Sequence, residues 1–426
     1  MSPIADHPLR YELSNELHAR PFPAIPVPAT VVFLAVKQPV DAAARDRAAD
    51  VAHLVQLLDR HGAAHPQPGA THYSGQIGRH VLKWEQHAEF VTYTAFCEGL
   101  PARPFDPADF GVFPEDWLAA APGQRITSIV MRLEAWREDA EIGAQLDDWF
   151  VPESLAVARV LDDAAVIAGD FRIDTGGHMR FAVFARPETG TRRIGRVVQR
   201  LCEIETYKAM SMLGFSRARA LAGKIGGMEG QLNALMAEMR DEVTPAERTL
   251  DHLLTAAAEI ETTATQAAFR FGATGAYEAI VNQRIGALRE TRFMGRQLFS
   301  EFMMRRYEPA MRTVKATERR LEALAARATR TGDLLRTRVD VERSAQNQAL
   351  LASMDRRADL QLRLQETVEG LSVVAISYYA VSLVGYLLYP LAEATELSKG
   401  TLQAAVTLPV VALVWWMVRR IRKRIG

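Results

Sequence analysis

Near its C-terminus the chain reads LSVVAISYYAVSLVGYLLYPLA over Leu371–Ala392 and TLQAAVTLPVVALVWWMV over Thr401–Val418, two runs of 22 and 18 residues without a charge. At about 1.5 Å rise per residue a helix of either length reaches across a hydrocarbon core of about 30 Å, the second only just. Trp415 and Trp416 stand where an interfacial aromatic belt would lie, and Arg419, Arg420, Arg422, Lys423 and Arg424 follow at once. Such a cluster contacts anionic lipid headgroups and, by the positive-inside rule, stays in the cytoplasm. The expectation is a two-helix transmembrane hairpin in the inner (cytoplasmic) membrane, with spans 371–392 and 401–418, an outer loop 393–400, a basic tail 419–426 and both termini in the cytoplasm.

Upstream, no proline occurs between Pro309 and Pro390. Gly332-Asp333 reads as a break, and Asp333–Gly370 as one stalk helix running into the first span. Leu350, Met354, Arg357, Gln361, Leu364, Val368, Leu371, Ala375, Tyr378, Ser382, Gly385 and Tyr389 alternate at spacings of four and three, a coiled-coil-like seam whose membrane half is small or hydroxylated. Two readings stay open. The seam packs the first membrane helix on the second or on another subunit, because small residues let backbones approach; or several copies surround an axis and the hydroxyls face a hydrated path. In the second reading Glu393 and Glu396 form an acidic ring at the outer mouth.

The whole chain has 426 residues, 24% charged and 48% hydrophobic, with 51 basic and 51 acidic side chains. This excludes a disordered or polytopic protein and removes the basic excess of a nucleic-acid binder. The zero is a sum over unlike parts: residues 1–370 carry four more acids than bases, and the tail is cationic. Cys97 and Cys202 make no disulfide framework and fit a reducing compartment. The first residues carry Asp6, Arg10, Glu12, Glu16 and Arg20, and the apolar run Val31–Val36 is too short for a signal peptide.

Residues 1–189 read as an α+β cytoplasmic domain, a mixed sheet with helices. Strands are expected at Thr30–Val36, His80–His87, Phe90–Cys97, Ile126–Trp136, Ala165–Ile173 and Met179–Ala185, with the last two joined through the turn Asp174–His178. Helices are expected at Asp41–Arg60 and Pro114–Ala121. Residues 190–370 read as helical from Ile194, Val197, Val198, Leu201 and Ile204, with Gly226-Gly227 interrupting the run, Thr244–Glu247 forming a capping box and Glu308-Pro309 ending or kinking the segment from Gly275.

Little of this points to catalysis. Eight of ten histidines fall in the first 87 residues, and His61-x-x-x-His65 has the spacing of two ligands on one helical turn. Gly62 and Pro66 weaken that helix, no HExxH or paired cysteine accompanies it, and core or solvent-facing histidines are the plainer reading. Ser216 lies in Gly214-Phe215-Ser216-Arg217-Ala218, inside a helical run and not at a strand-to-helix turn. Gly223-Lys224 lacks the rest of a phosphate-binding loop. The expectation is no enzyme and no cofactor.

HPLRYELSNELHARPFPAI (His7–Ile25), HVLKWEQHAEFVTYTAF (His80–Phe96) and ISYYAVSLVGYLLYPL (Ile376–Leu391) resemble domain-of-unknown-function family 3422 of bacterial membrane-anchored proteins, over nearly the whole chain. That resemblance implies a membrane anchor and brings no catalytic residue. The layout of α/β domain, long stalk, two C-terminal membrane helices and basic tail also resembles the CorA-type magnesium channels, which are homopentamers. It implies a homo-oligomer in the lipid bilayer that passes or senses a divalent cation such as magnesium, under control of the cytoplasmic domain. The Gly-Met-Asn signature of those channels is absent, with Tyr386–Pro390 (YLLYP) in its place. The alternative is a membrane-anchored cytoplasmic scaffold or sensor without transport activity.

Overall fold

The computed structural model describes residues 4–16, 22–40, 42–240, 244–388 and 399–425. The chain divides into two compact units, Met1–Arg240 with His252–Thr331, and Asp241–Asp251 with Gly332–Gly426.

The first unit is built on a mixed sheet. After a short helix α1 (Arg10–Glu16), its strands are β1 (Ala29–Lys37), β2 (His72–Ile77), β3 (His80–Gln86), β4 (Phe90–Glu98), β5 (Gln124–Ala135), β6 (Ala156–Val160), β7 (Ala165–Ile173), β8 (Met179–Ala185) and β9 (Thr291–Arg292). They lie in the order β2-β3-β4-β1-β5-β8-β7-β6-β9. β5 and β8 run parallel and the other neighbours antiparallel. All nine residues of β1 are buried, which places this largely apolar, β-branched run, charged only at its last residue Lys37, at the middle of the sheet with both faces covered.

One face carries the core. Leu34, Trp84 and Tyr93 pack with Leu54, Leu57 and Leu58 of α2 (Arg47–Arg60) and with Trp117 of α3 (Glu115–Ala119). α2 begins where the Asp46 carboxylate accepts the Ala48 N–H at 2.8 Å, an N-cap that satisfies a donor the helix leaves open. The expected helix over Asp41–Arg60 is therefore shorter, with a 3₁₀ turn at Ala42–Ala44 before it. α4 (Asp139–Trp149), β2 and β6 add elements that hydropathy alone did not mark. The β7–β8 turn forms as expected: Asp174 N–H donates to the His178 carbonyl at 2.9 Å, and Gly177 takes φ +84°.

Long helices follow: α5 (Thr191–Glu238), α6 (Ala246–Leu288), α7 (Phe299–Arg306) and α8 (Glu308–Leu387). Three expected breaks are corrected. α5 runs straight through Gly226-Gly227, because Ile225, Met228, Leu232 and Leu235 stay buried along it, and packing outweighs a penalty of about 1 kcal/mol per glycine. Glu308-Pro309, expected to end or kink the segment from Gly275, does not end that segment, which stops at Leu288; Pro309 lies in the first turn of α8, just after α7 ends at Arg306, where its missing N–H has no intrahelical partner to lose. Gly332-Asp333 does not interrupt α8, although the boundary between the two units falls there.

In the second unit, α8 and α9 (Lys399–Ile425) each contain a segment long and apolar enough to cross a membrane. A Cβ placed on Gly385 would lie 3.8 Å from Gln403 Nε2, so the two helices approach each other there. The least exposed positions of these segments are Val373, Ser377, Ala380, Val381, Ser382, Val384 and Gly385 on α8, Leu388 just after it, and Val406, Thr407, Val410, Val414 and Val418 on α9. In both windows nearly everything else is exposed.

A polar cavity between the sheet and helix α5

The second sheet face lies under α5, where period-two alternation puts Lys83 and Glu85 of β3 on the side opposite Trp84. Register extends this row: Lys83 pairs with Thr94, and Thr94 with Phe33, while Glu85 pairs with Thr92. These side chains, together with Gln199, Cys202, Glu203 and Thr206 of α5 and Arg284 of α6, line a cavity of about 290 Å³. Phe22 and Pro23 also line it. The chain around Phe22 and Pro23 is held close to α5: Ile25 N–H donates to the Thr191 carbonyl at 3.2 Å. A Cβ at Gly195 would fall 1.7 Å from the Pro23 carbonyl oxygen, so only glycine lets the backbones approach.

A polar relay runs along one wall. The Lys83 ammonium lies 3.2 Å from the Glu85 carboxylate and donates to Gln199 Oε1 at 3.2 Å. Gln199 Nε2 donates to Glu203 Oε1 at 2.8 Å, and Glu203 pairs with Arg284. Acids and bases thus alternate inside a cavity whose remaining surface includes Phe33, Phe90, Phe96 and the hydroxyls of Thr92 and Thr94. Burial, then the neighbouring Glu203, pushes the Cys202 thiol far above its ordinary range; it is a protonated wall residue, without the thiolate a nucleophile needs.

The turn between β3 and β4 is fixed from behind. The Arg45 guanidinium donates to the carbonyls of His87 at 2.7 Å, Ala88 at 2.5 Å and Phe90 at 3.1 Å, and pairs with Asp50 at 2.8 Å. Gln86 Nε2 donates to the same Asp50 carboxylate at 3.1 Å. Glu89, 1% exposed, accepts from the Tyr277 hydroxyl at 2.9 Å and pairs with Arg270. His87 stacks on Phe90, ring centroids 4.4 Å apart. Every polar residue of KWEQHAEF is therefore placed: Lys83, Glu85 and His87 at the cavity, Gln86 and Glu89 in the buried bonds that hold the turn.

The residues singled out from sequence lie elsewhere. Leu371, Ala375, Tyr378, Ser382 and Gly385 are on α8; Ser382 and Gly385 share the partly buried face of Val373, Ser377, Ala380 and Val384, whereas Leu371, Ala375 and Tyr378 do not. Leu371 and Tyr378 are among the exposed residues. The Ser382 hydroxyl donates to the Tyr378 carbonyl one turn back, at 2.8 Å. Tyr389, Glu393 and Glu396 lie outside the described residues, as do the side chains of Arg422, Lys423 and Arg424. Arg419 and Arg420 sit over the rings of Trp415 and Trp416, at 4.9 and 5.0 Å.

Among the described residues the histidines form no ligand group. His53 is a core residue between the Tyr93 hydroxyl at 3.0 Å and the Trp117 carbonyl at 2.9 Å, its pKa lowered chiefly by burial. His65 meets Asp59 at 2.7 Å, and His61 caps the end of α2. Among the described residues no group of three His, Cys, Asp or Glu side chains is placed to hold a metal.

The chain thus comprises two units, an α/β domain with a cavity of mixed polarity and a helical unit ending in two apolar helices. It belongs to the family described as protein of unknown function (DUF3422), whose model matches residues 5–425. No curated protein and no solved structure matches the chain.

Proposed function

We propose that the protein is anchored in the inner membrane by α8 and α9, with both termini in the cytoplasm, and that its α/β domain is a sensor which binds a small polar ligand in the cavity under α5. The cavity carries this reading: its relay of Glu85, Lys83, Gln199, Glu203 and Arg284 presents both signs of charge to a half-open space. Such a wall suits a zwitterion or a hydroxylated metabolite that also has an apolar side. The reading is of a binding module, not an enzyme. For the anchor, the support is the exposed apolar surface of the two helices, which water does not tolerate over such length.

The test is a thermal-shift screen of polar metabolites on the detergent-solubilised full chain. A ligand that raises the melting temperature of the wild type should have no effect on Thr94→Trp, which fills the cavity. Equal shifts in both proteins contradict the reading.

Homo-oligomerisation is favoured by one observation. Leu371, Ala375 and Tyr378 continue the seam from Leu350 on a face that α9 leaves exposed, which a second copy would cover. The second reading, an oligomer conducting a divalent cation such as magnesium in the manner of CorA-type channels, needs that assembly and a hydrated axis. The intrahelical bond of Ser382 takes one hydroxyl away from such an axis. Cation flux into liposomes decides it: flux above empty vesicles, lost in Ser382→Leu with Gly385→Leu, supports conduction, and no flux leaves the tethered sensor.

A further inference from the structure

A second opening in the α/β domain, independent of the cavity, has a different chemistry. It is a cleft of about 880 Å³ where the end of β1 meets the start of β5, walled by α5 and α6. Lys37 is the last residue of β1, Arg125 the second of β5, Arg217 lies on α5 and Arg270 on α6. Four cationic side chains line the cleft, and among the described residues no carboxylate does.

The balance of charge behind the wall is short. Arg270 is paired with Glu89, which is buried. Lys37, 7% exposed, donates to the Gln38 carbonyl at 2.8 Å, a neutral acceptor. Burial and then the charges of Arg270 and Arg45 push its pKa down, against a smaller upward pull from Glu89. An anion in the cleft reverses that deficit by favouring the charged amine. Arg125 reaches over Gly177, where a Cβ would meet its guanidinium. The rim adds apolar surface: Phe269 is 57% exposed, with Arg270 over its ring at 5.6 Å.

We propose that this cleft binds a phosphate ester, with Arg125 and Arg217 bonding the phosphate oxygens, Lys37 supplying charge and the exposed Phe269 ring packing on the organic part. Guanidinium forks match phosphate oxygens in geometry as well as charge. The volume falls in the range of small-molecule sites, about 300–1,000 Å³. The group could be presented by a soluble nucleotide or by a phospholipid headgroup, and the chemistry of recognition is the same.

The experiment uses the full chain. Calorimetric titration of ATP and inorganic pyrophosphate into detergent-solubilised protein is one arm; the other compares nanodiscs of phosphatidylcholine with nanodiscs containing one-tenth phosphatidic acid, read as the protein's melting temperature. Saturable binding of the free probes assigns a soluble ester, and a response to phosphatidic acid alone assigns a headgroup. In whichever arm responds, Arg125→Ala with Arg217→Ala should weaken the response by about tenfold or more, and the double lysine variant by less. If the double alanine variant fails to fold, Arg217→Glu carries the same expectation alone. A response unchanged by these substitutions, as the basic tail at Arg419–Arg424 would give, overturns the proposal, and so does the absence of any response in both arms.

Discussion

β1 and the end of α8 are built from the same kind of residue and end in opposite surroundings. ATVVFLAVK in β1 is buried at every position, whereas LSVVAISYYAVSLVGYL at the end of α8 has a single buried residue, Ser377. The difference lies in the backbone. A strand leaves its N–H and C=O groups to be bonded by neighbours, so an apolar strand must sit inside a sheet. A helix bonds its own backbone, so an apolar helix can offer its whole side surface to lipid. Hydropathy measures both alike; only secondary structure separates a core from an anchor.

Substitutions should therefore be costly in one region and nearly silent in the other. The largest effect is expected at Arg45→Met, which leaves Asp50 buried without its cation: a loss of about 3–5 kcal/mol in denaturant unfolding followed by tryptophan fluorescence. Gly195→Ala drives a methyl group into the Pro23 carbonyl, and a loss of about 1–3 kcal/mol is expected from the same measurement. It should also open the cavity at Phe22 and weaken any ligand found there.

Asp109 sharpens the comparison by pH. Burial, then Asp106, raises its carboxyl to about 6, against the pull of Arg132. A raised carboxyl favours the protonated form in the folded state, so the penalty is present above pH 6 and fades as pH falls toward the unfolded value near 3.8. With its partial exposure discounted, Asp109→Asn should stabilise by about 1 kcal/mol at pH 7 and by nothing resolvable near pH 4. The smallest effect is expected at Tyr378→Ala: the side chain is 71% exposed, and unfolding of the α/β domain should change by less than about 0.5 kcal/mol.

The sequence carried the outlines of this fold well. Ala165–Ile173 and Met179–Ala185 coincide with β7 and β8, and the apolar helices fall where charge-free length put them. Breaks were legible only in part, because glycine and proline cost little where packing or a helix start accommodates them, as at Gly226 and Pro309. The cavity was not read from sequence. Lys83, Glu85 and His87 alternate on a strand as a solvent-facing edge would, and Gln199, Glu203 and Thr206 fit the polar side of an amphipathic helix. Their burial follows from α5 lying over β3 and β4, a pairing between residues more than a hundred positions apart. The local signal available was polar side chains at strand spacing facing polar ones at helical spacing.

Membrane anchoring is tested most directly by alkaline carbonate extraction of membranes containing the full chain. Integral helices resist it, and peripheral proteins are released. With α8 and α9 in the bilayer the protein stays in the membrane pellet and a chain ending at Gly370 is found in the soluble fraction; release of the full chain into the carbonate supernatant would contradict the anchor.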